Sequence, residues 1–191
     1  RNPGDKNTYH LVLLAKNKQG YENLLKLTSI AHLDGFYYKP RVDKELLARY
    51  SQGLVAMSAC LSGELSTLLL TRQREEAREA ALWYRNTFEN FYIEIMRHPM
   101  PEMEAVNPQL IELARELDIP LVATNDTHYI YKEDASAHDL LLCIGTNTTV
   151  NDKKRLKMAS DSFYLKSAQE MAEQYRDIPE ALANTEEVAS L

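Results

Sequence analysis

Strand-like runs recur at roughly 35-residue spacing with helix-like sequence between them, and this alternation constrains the fold more than any other feature. "YHLVLLA" (9–15), "GLVAMSAC" (53–60), "NFYIEIMR" (90–97) and "PLVAT" (120–124) are short, apolar and rich in β-branched or aromatic residues. Between them, Tyr21, Leu24, Leu25, Thr28 and Ala31 keep helical spacing, with Gly35 as a stop. Asp43 caps a short helix carrying Leu46 and Leu47. Residues 62–90 read as helix in two pieces, with Leu65, Leu68 and Leu69 in the first and Ala77, Ala81 and Tyr84 in the second. In "VNPQLIELARELDI" (106–119), Leu110, Ile111, Ala114 and Leu117 share a face, and Pro108 is expected in the first turn. "KEDASAHDLLLCIG" (132–145) is a further helix ended by Gly145. The pattern loosens over 146–165. "SFYLKS" (162–167) then reads as a strand, and two short helices near 167–176 and 179–189 finish the chain.

Such alternation predicts parallel βα units, in a barrel or a doubly wound sheet. Four or five units are too few to close an eight-stranded barrel, so the sheet is either open or short of strands. The opening "RNPGDKNT" reads as a loop.

Composition excludes several classes. No apolar run reaches the roughly 18 residues of a membrane span, and no signal-peptide pattern opens the chain. A formal net charge of −6 has the wrong sign for a domain gripping nucleic acid by general electrostatics. The short basic cluster "KKRLK" (153–157) reads as a solvated loop. Cys60 and Cys143 stand apart with no disulfide or zinc-ribbon spacing, which suits a reducing, cytoplasmic compartment.

In parallel α/β folds function gathers where strands end. "VATNDTHYIY" (122–131) ends a strand in Asp126 and His128, two apart, so that in extended backbone both side chains point to one side. A carboxylate and an imidazole there suit zinc, manganese or iron, and a simple turn is the alternative. Cys60 ends another strand, as a soft ligand or a buried inert thiol. His10 lies at a strand start, where spacing gives it little support. Glu94, between Ile93 and Ile95, faces a polar network if its strand is central and solvent if it is an edge. His98, before Pro99, reads as an exposed loop residue. In "FYYKPR" (36–41), Tyr37, Lys39 and Arg41 suit a phosphate or a base, or else pack over a domain edge. No nucleophile elbow or phosphate-binding glycine loop is present, so metal-assisted hydrolysis is the chemistry these residues suit best.

The motifs "YHLVLLAKNKQGYENLLKLTSIAHLDGFYYKPRVDKELL", "GLVAMSACLSGEL", "NFYIEIMR", "IPLVATNDTHYIYKEDASAHDLLLCIGT" and "SFYLKSAQEMAEQYRDIPEALANTEEVA" occur in that order. Together they resemble the PHP (polymerase and histidinol phosphatase) domains of bacterial replicative DNA polymerase III alpha subunits. The resemblance implies an α/β fold, an incomplete PHP-type (β/α) barrel with parallel strands and flanking helices. It also implies a mouth that holds divalent ions, zinc or manganese, with His10, Cys60, Asp126 and His128 as ligands and Asp126 and His128 serving catalysis. Lys39 and Arg41 are then candidate phosphate or DNA contacts. The family's opening "HLHTH"-type motif, with a further Asp, His and Glu, is absent from this sequence, so the chain is expected to hold the later portion of the domain. Residues 1–165 would form that partial domain, and 166–191 a helical connection toward a polymerase core.

The activity implied is DNA synthesis in replication, with 3′–5′ phosphodiester hydrolysis at the metal mouth and little of either in this chain alone. Implied partners are DNA, a proofreading exonuclease and a sliding clamp; no membrane is implied. Open sheet edges lead us to expect self-association of the isolated chain. One alternative is a non-catalytic scaffold that docks the proofreading subunit. Another is a free-standing phosphoesterase for a monoester such as histidinol phosphate, which the 162–189 segment argues against.

Overall fold

The computed structural model describes residues 8–191, so the opening loop read over 1–8 lies outside the described residues except for Thr8. β1 (Val12–Ala15), β2 (Leu54–Met57), β3 (Asn90–Met96) and β4 (Leu121–Thr124) form one sheet in the order β1-β2-β3-β4. The helices are α1 (Lys18–Leu33), α2 (Lys44–Arg49), α3 (Glu64–Leu70), α4 (Arg74–Thr87), α5 (Pro101–Glu116), α6 (Ala135–Gly145), α7 (Ala168–Gln174) and α8 (Pro179–Ser190). This is the mixed α/β architecture the alternation predicts, with helices flanking a mostly parallel sheet.

One strand departs from the expected parallel set. β2–β3 and β3–β4 are parallel, but β1 runs antiparallel to β2, pairing Val12 with Met57 and Ala15 with Leu54. The start of β1 therefore lies at the same end of the sheet as the ends of β2, β3 and β4. Local sequence carries no strand-direction signal, because an apolar strand reads alike both ways.

Short-range chemistry places the helices. Asn17 accepts from Gly20 N at 2.9 Å to cap α1, and Asp43 accepts from Leu46 N at 2.9 Å to cap α2. Ser167 and Glu170 form a reciprocal capping box on α7. α5 begins at Pro101, so Pro108 falls in its interior rather than its first turn. Pro101 takes the N-terminal place where a missing N–H is tolerated, and Asn107 Nδ2 fixes the helix to Met96 O at 2.9 Å.

The core sits mainly on one sheet face. Leu54, Ala56, Phe91, Ile93, Ile95, Leu121 and Ala123 pack there against Leu65 and Leu69 of α3, Ala77 and Ala81 of α4, and Val106, Leu110 and Leu113 of α5. The intervening residues Val55, Met57, Tyr92 and Val122 form a smaller cluster on the opposite face, joined by Val188 of α8. Glu94 shares that second face by alternation. Truncating a wholly buried residue such as Ile93 to Ala would cost about 2–5 kcal/mol.

The C-terminal segment 166–191 packs on the sheet. Tyr175 Oη lies 2.8 Å from Ile95 O and 3.0 Å from Thr124 O, and Asn184 Nδ2 donates to Leu121 O at 2.7 Å. Arg97 holds Asp177 through two bonds of 2.6 and 2.7 Å. The expected strand at 162–167 is reduced to one bridge, Tyr129 to Tyr164, because its other backbone groups turn to the β4 loop rather than to a ladder. Among the described residues, no helix is long and apolar enough to cross a membrane.

Candidate metal centre

The ends of β2 and β4 and the start of β1 converge at one end of the sheet. After β2, Ala59 takes a left-handed backbone with φ of 62°, which turns Cys60 out of the strand. The turn closes through Gly63 N donating to Cys60 O at 2.8 Å. His10 N donates to Ser62 O at 2.9 Å, which brings His10 Nδ1 to 3.6 Å from Cys60 Sγ. The end-of-strand rule undervalued His10 because it assumed a parallel β1. With β1 reversed, a residue just before it stands beside one just after β2.

Asp126 also adopts a left-handed φ, of 45°, so the expected extended Asp126–His128 geometry does not form. A tight turn joins them instead. His128 Nδ1 lies 2.7 Å from Asp126 O and 4.0 Å from Asp126 Oδ1. The carbonyl can only accept, so Nδ1 carries the proton and Nε2 keeps its lone pair, the tautomer a metal ligand needs. His128 N donates to Phe163 O at 2.8 Å.

Three buried polar residues support these turns, and of them spacing anticipated only Glu94, whose strand is central and whose carboxylate faces a polar network. Glu94, 4% exposed on β3, accepts from Ala59 N at 2.5 Å and from Thr124 Oγ1 at 3.1 Å. Burial raises its carboxyl above the ordinary range; the Thr124 and Ala59 bonds pull the other way, and nearby Asp126 adds to the rise. His98, expected in solvent, is 4% exposed and stacks on Phe163 with ring centroids 3.9 Å apart. Its Nε2 is 3.1 Å from Asn125 O and its Nδ1 2.7 Å from Ser162 Oγ. The network assigns the proton to Nε2, and burial, with Lys166 nearby, lowers its pKa and keeps the ring neutral. Asn125 donates to Ser162 O at 3.2 Å and Tyr164 O at 2.8 Å, which fastens 162–164 over the end of β4. The sequence held only one signal for this, a polar Asn at the end of an apolar run.

Lys39 and Arg41 lie in the α1–α2 connection, where the Arg41 guanidinium stacks 4.9 Å from the Tyr37 ring centroid. α1 starts at the far end of β1 and runs back, so the connection lies toward the Cys60 end. Lys44 confirms this by pairing with Glu64 of α3 at 2.8 Å.

The donor types fit a divalent ion: a thiol with one imidazole, and a carboxylate with another. The donor count does not. Among the described residues no three His, Cys, Asp or Glu side chains stand close enough to share an ion. Asn125 Oδ1, Tyr129 Oη and His138 Nδ1, near the Asp126–His128 loop, are buried polar atoms without a protein partner. His138 lies edge-on to His128 at 5.4 Å between centroids.

A family model described as "PHP domain" matches residues 2–98, about half the chain. The chain belongs to the PHP domain family. PHP domains are generally metal-dependent, in keeping with the donors found at this mouth. DNA polymerase III subunit alpha of Borreliella burgdorferi is 50% identical over 185 residues, covering 96% of this chain and 16% of that protein. The same-named protein of Treponema pallidum is 50% identical over 183 residues, with 95% and 16% coverage. That of Deinococcus radiodurans is 46% identical over 169 residues, with 88% and 13% coverage. The chain thus spans about a sixth of the length of the first two relatives, and both cysteine and histidine of the first pair fall within the family match.

Proposed function

We propose that this chain is a PHP region of a replicative DNA polymerase III alpha subunit, contributing one part of a metal-dependent phosphodiester-hydrolysing mouth. The observation that carries this reading is the convergence of His10 with Cys60 and of Asp126 with His128 at one end of a PHP-type sheet. A bound zinc or manganese would supply a Lewis acid and an activated water. His10, Cys60, Asp126 and His128 would hold it together with ligands from outside this chain. His128 presents Nε2 because Asp126 O fixes its Nδ1 proton. Lys39 and Arg41 offer cationic contacts for the substrate backbone. In this reading residues 1–165 form the PHP part, and 166–191 lead toward the polymerase core while bracing β4.

The test uses both the 191-residue chain and a full-length polypeptide that carries it. The long polypeptide is expected to retain zinc or manganese after gel filtration and to trim a mismatched primer end. Asp126→Asn should abolish both without altering the thermal transition. The short chain is expected to retain neither metal nor nuclease activity. A metal-free long polypeptide would refute the catalytic reading and leave a scaffold role, and Asp126-dependent turnover by the short chain would refute the divided site.

A further inference from the structure

Glu94 lies in mid-sheet on a four-stranded sheet's third strand, where a buried carboxylate needs specific partners to be tolerated. Its partners lie just past the end of β2 and at the end of β4. The β2–β3 ladder ends with Ser58 N donating to Tyr92 O at 3.1 Å. One residue later Ala59 N has left the ladder in its left-handed turn, and it donates to Glu94 Oε2 at 2.5 Å instead. On the other side, Thr124 closes β4 and its hydroxyl donates to Glu94 Oε1 at 3.1 Å. Glu94 N in turn donates to Ser58 Oγ at 2.9 Å.

We infer that Glu94 is a positioning residue whose carboxylate ties the Cys60 turn to the Asp126–His128 turn across β3. Both turns contain a residue with a Cβ in the left-handed region, a conformation that persists only where its surroundings hold it. Both begin where strand pairing stops. One rigid planar group holding a backbone N–H on one side and a hydroxyl on the other sets their separation, which sheet pairing no longer does. Glutamine can preserve this geometry, with its oxygen accepting from Ala59 N and its amide donating to Thr124 Oγ1. Leucine keeps the bulk and breaks both bonds. What the two turns hold rests on the metal-site reading above, but the tie itself does not.

The experiment is run on the metal-free 191-residue chain with EDTA present. Peptide mapping follows alkylation of Cys60 by iodoacetamide, and hydrogen exchange follows the amides of residues 125–128. Glu94→Leu is expected to accelerate both by roughly tenfold, the scale of losing buried hydrogen bonds that hold a local element closed. Thr124→Val should speed Cys60 alkylation although it alters the other side of the tie. Glu94→Gln should stay near the wild-type rates, which a merely destabilising role of the site would not predict. Ile95→Ala, on the opposite face of β3, serves as the control for general loss of stability. The inference is overturned if Glu94→Leu loosens only one turn, if Glu94→Gln loosens both as much, or if Ile95→Ala reproduces the pattern. Failure of the proposed function would appear elsewhere, as a metal-free long polypeptide, and would leave these rate ratios unchanged.

Discussion

Gly63→Ala is the sharpest test of how the Cys60 turn is built. A Cβ at Gly63 would stand 2.1 Å from Ser58 O and 3.0 Å from Cys60 O. Both are backbone atoms of the turn itself, so no side-chain rotation relieves the clash. The φ of Gly63 is −68°, ordinary for alanine, so the whole cost is steric. Overpacking a rigid site costs about 1–3 kcal/mol, and the stiffer unfolded chain returns about 0.4–1 kcal/mol. The net loss is about 1–2 kcal/mol, and at this chain length each kcal/mol lowers Tm by roughly 2–4 °C. Gly145→Ala is the matched control. Nothing lies within 4 Å of a Cβ there, and the residue ends α6, so the same methyl should stabilise by about 0.5–1 kcal/mol. Urea unfolding and calorimetry on both variants read the two signs. The reasoning fails if Gly63→Ala is as stable as wild type, or if both variants shift the same way.

Two further outcomes follow from buried polar groups. Tyr175→Phe removes the hydroxyl that lies within hydrogen-bond distance of Ile95 O and Thr124 O, and urea unfolding should show a loss of about 1–2 kcal/mol at unchanged m-value. Glu94 titrates above its unfolded value, chiefly because of burial, so the folded state binds its proton more tightly. Wild-type stability from this group is therefore full below the ordinary carboxylate range and lost as pH rises through the raised folded value. Glu94→Gln lacks that loss, so its stability relative to wild type should climb across the same window. A pH-independent difference between the two proteins would contradict a buried, ionising Glu94.

Helix existence was legible because it is local. Asn17, Asp43 and Ser167 announce their helices through side chains that reach only three residues along the chain. The same locality misled at Pro108, where an earlier proline, Pro101, had already taken the helix start. Motif resemblance named His10, Cys60, Asp126 and His128, and the structure brings them to one end of the sheet as two pairs. Spacing alone supported Asp126 and His128 readily, Cys60 weakly and His10 hardly at all, and it gave the first two the wrong backbone, since Asp126 turns left-handed instead of continuing the strand.

The sequence by itself determined the helices and the four strands of the sheet, though not the bridge that replaces the expected strand at 162–167, together with the parallel βα pattern of β2 to β4, the donor types at the strand ends and the family to which they belong. These depend on periodicity, capping and motif order, all written within short windows of chain. Only the tertiary structure decided that β1 is reversed, that His98 is buried under Phe163, and that Glu94 links Ala59 to Thr124. Each depends on partners 30 or more residues away, as in the Glu94 bonds to residues 35 and 30 positions distant. A strand's direction and a side chain's burial are set by what packs across from them, and nothing in the local sequence encodes that neighbour.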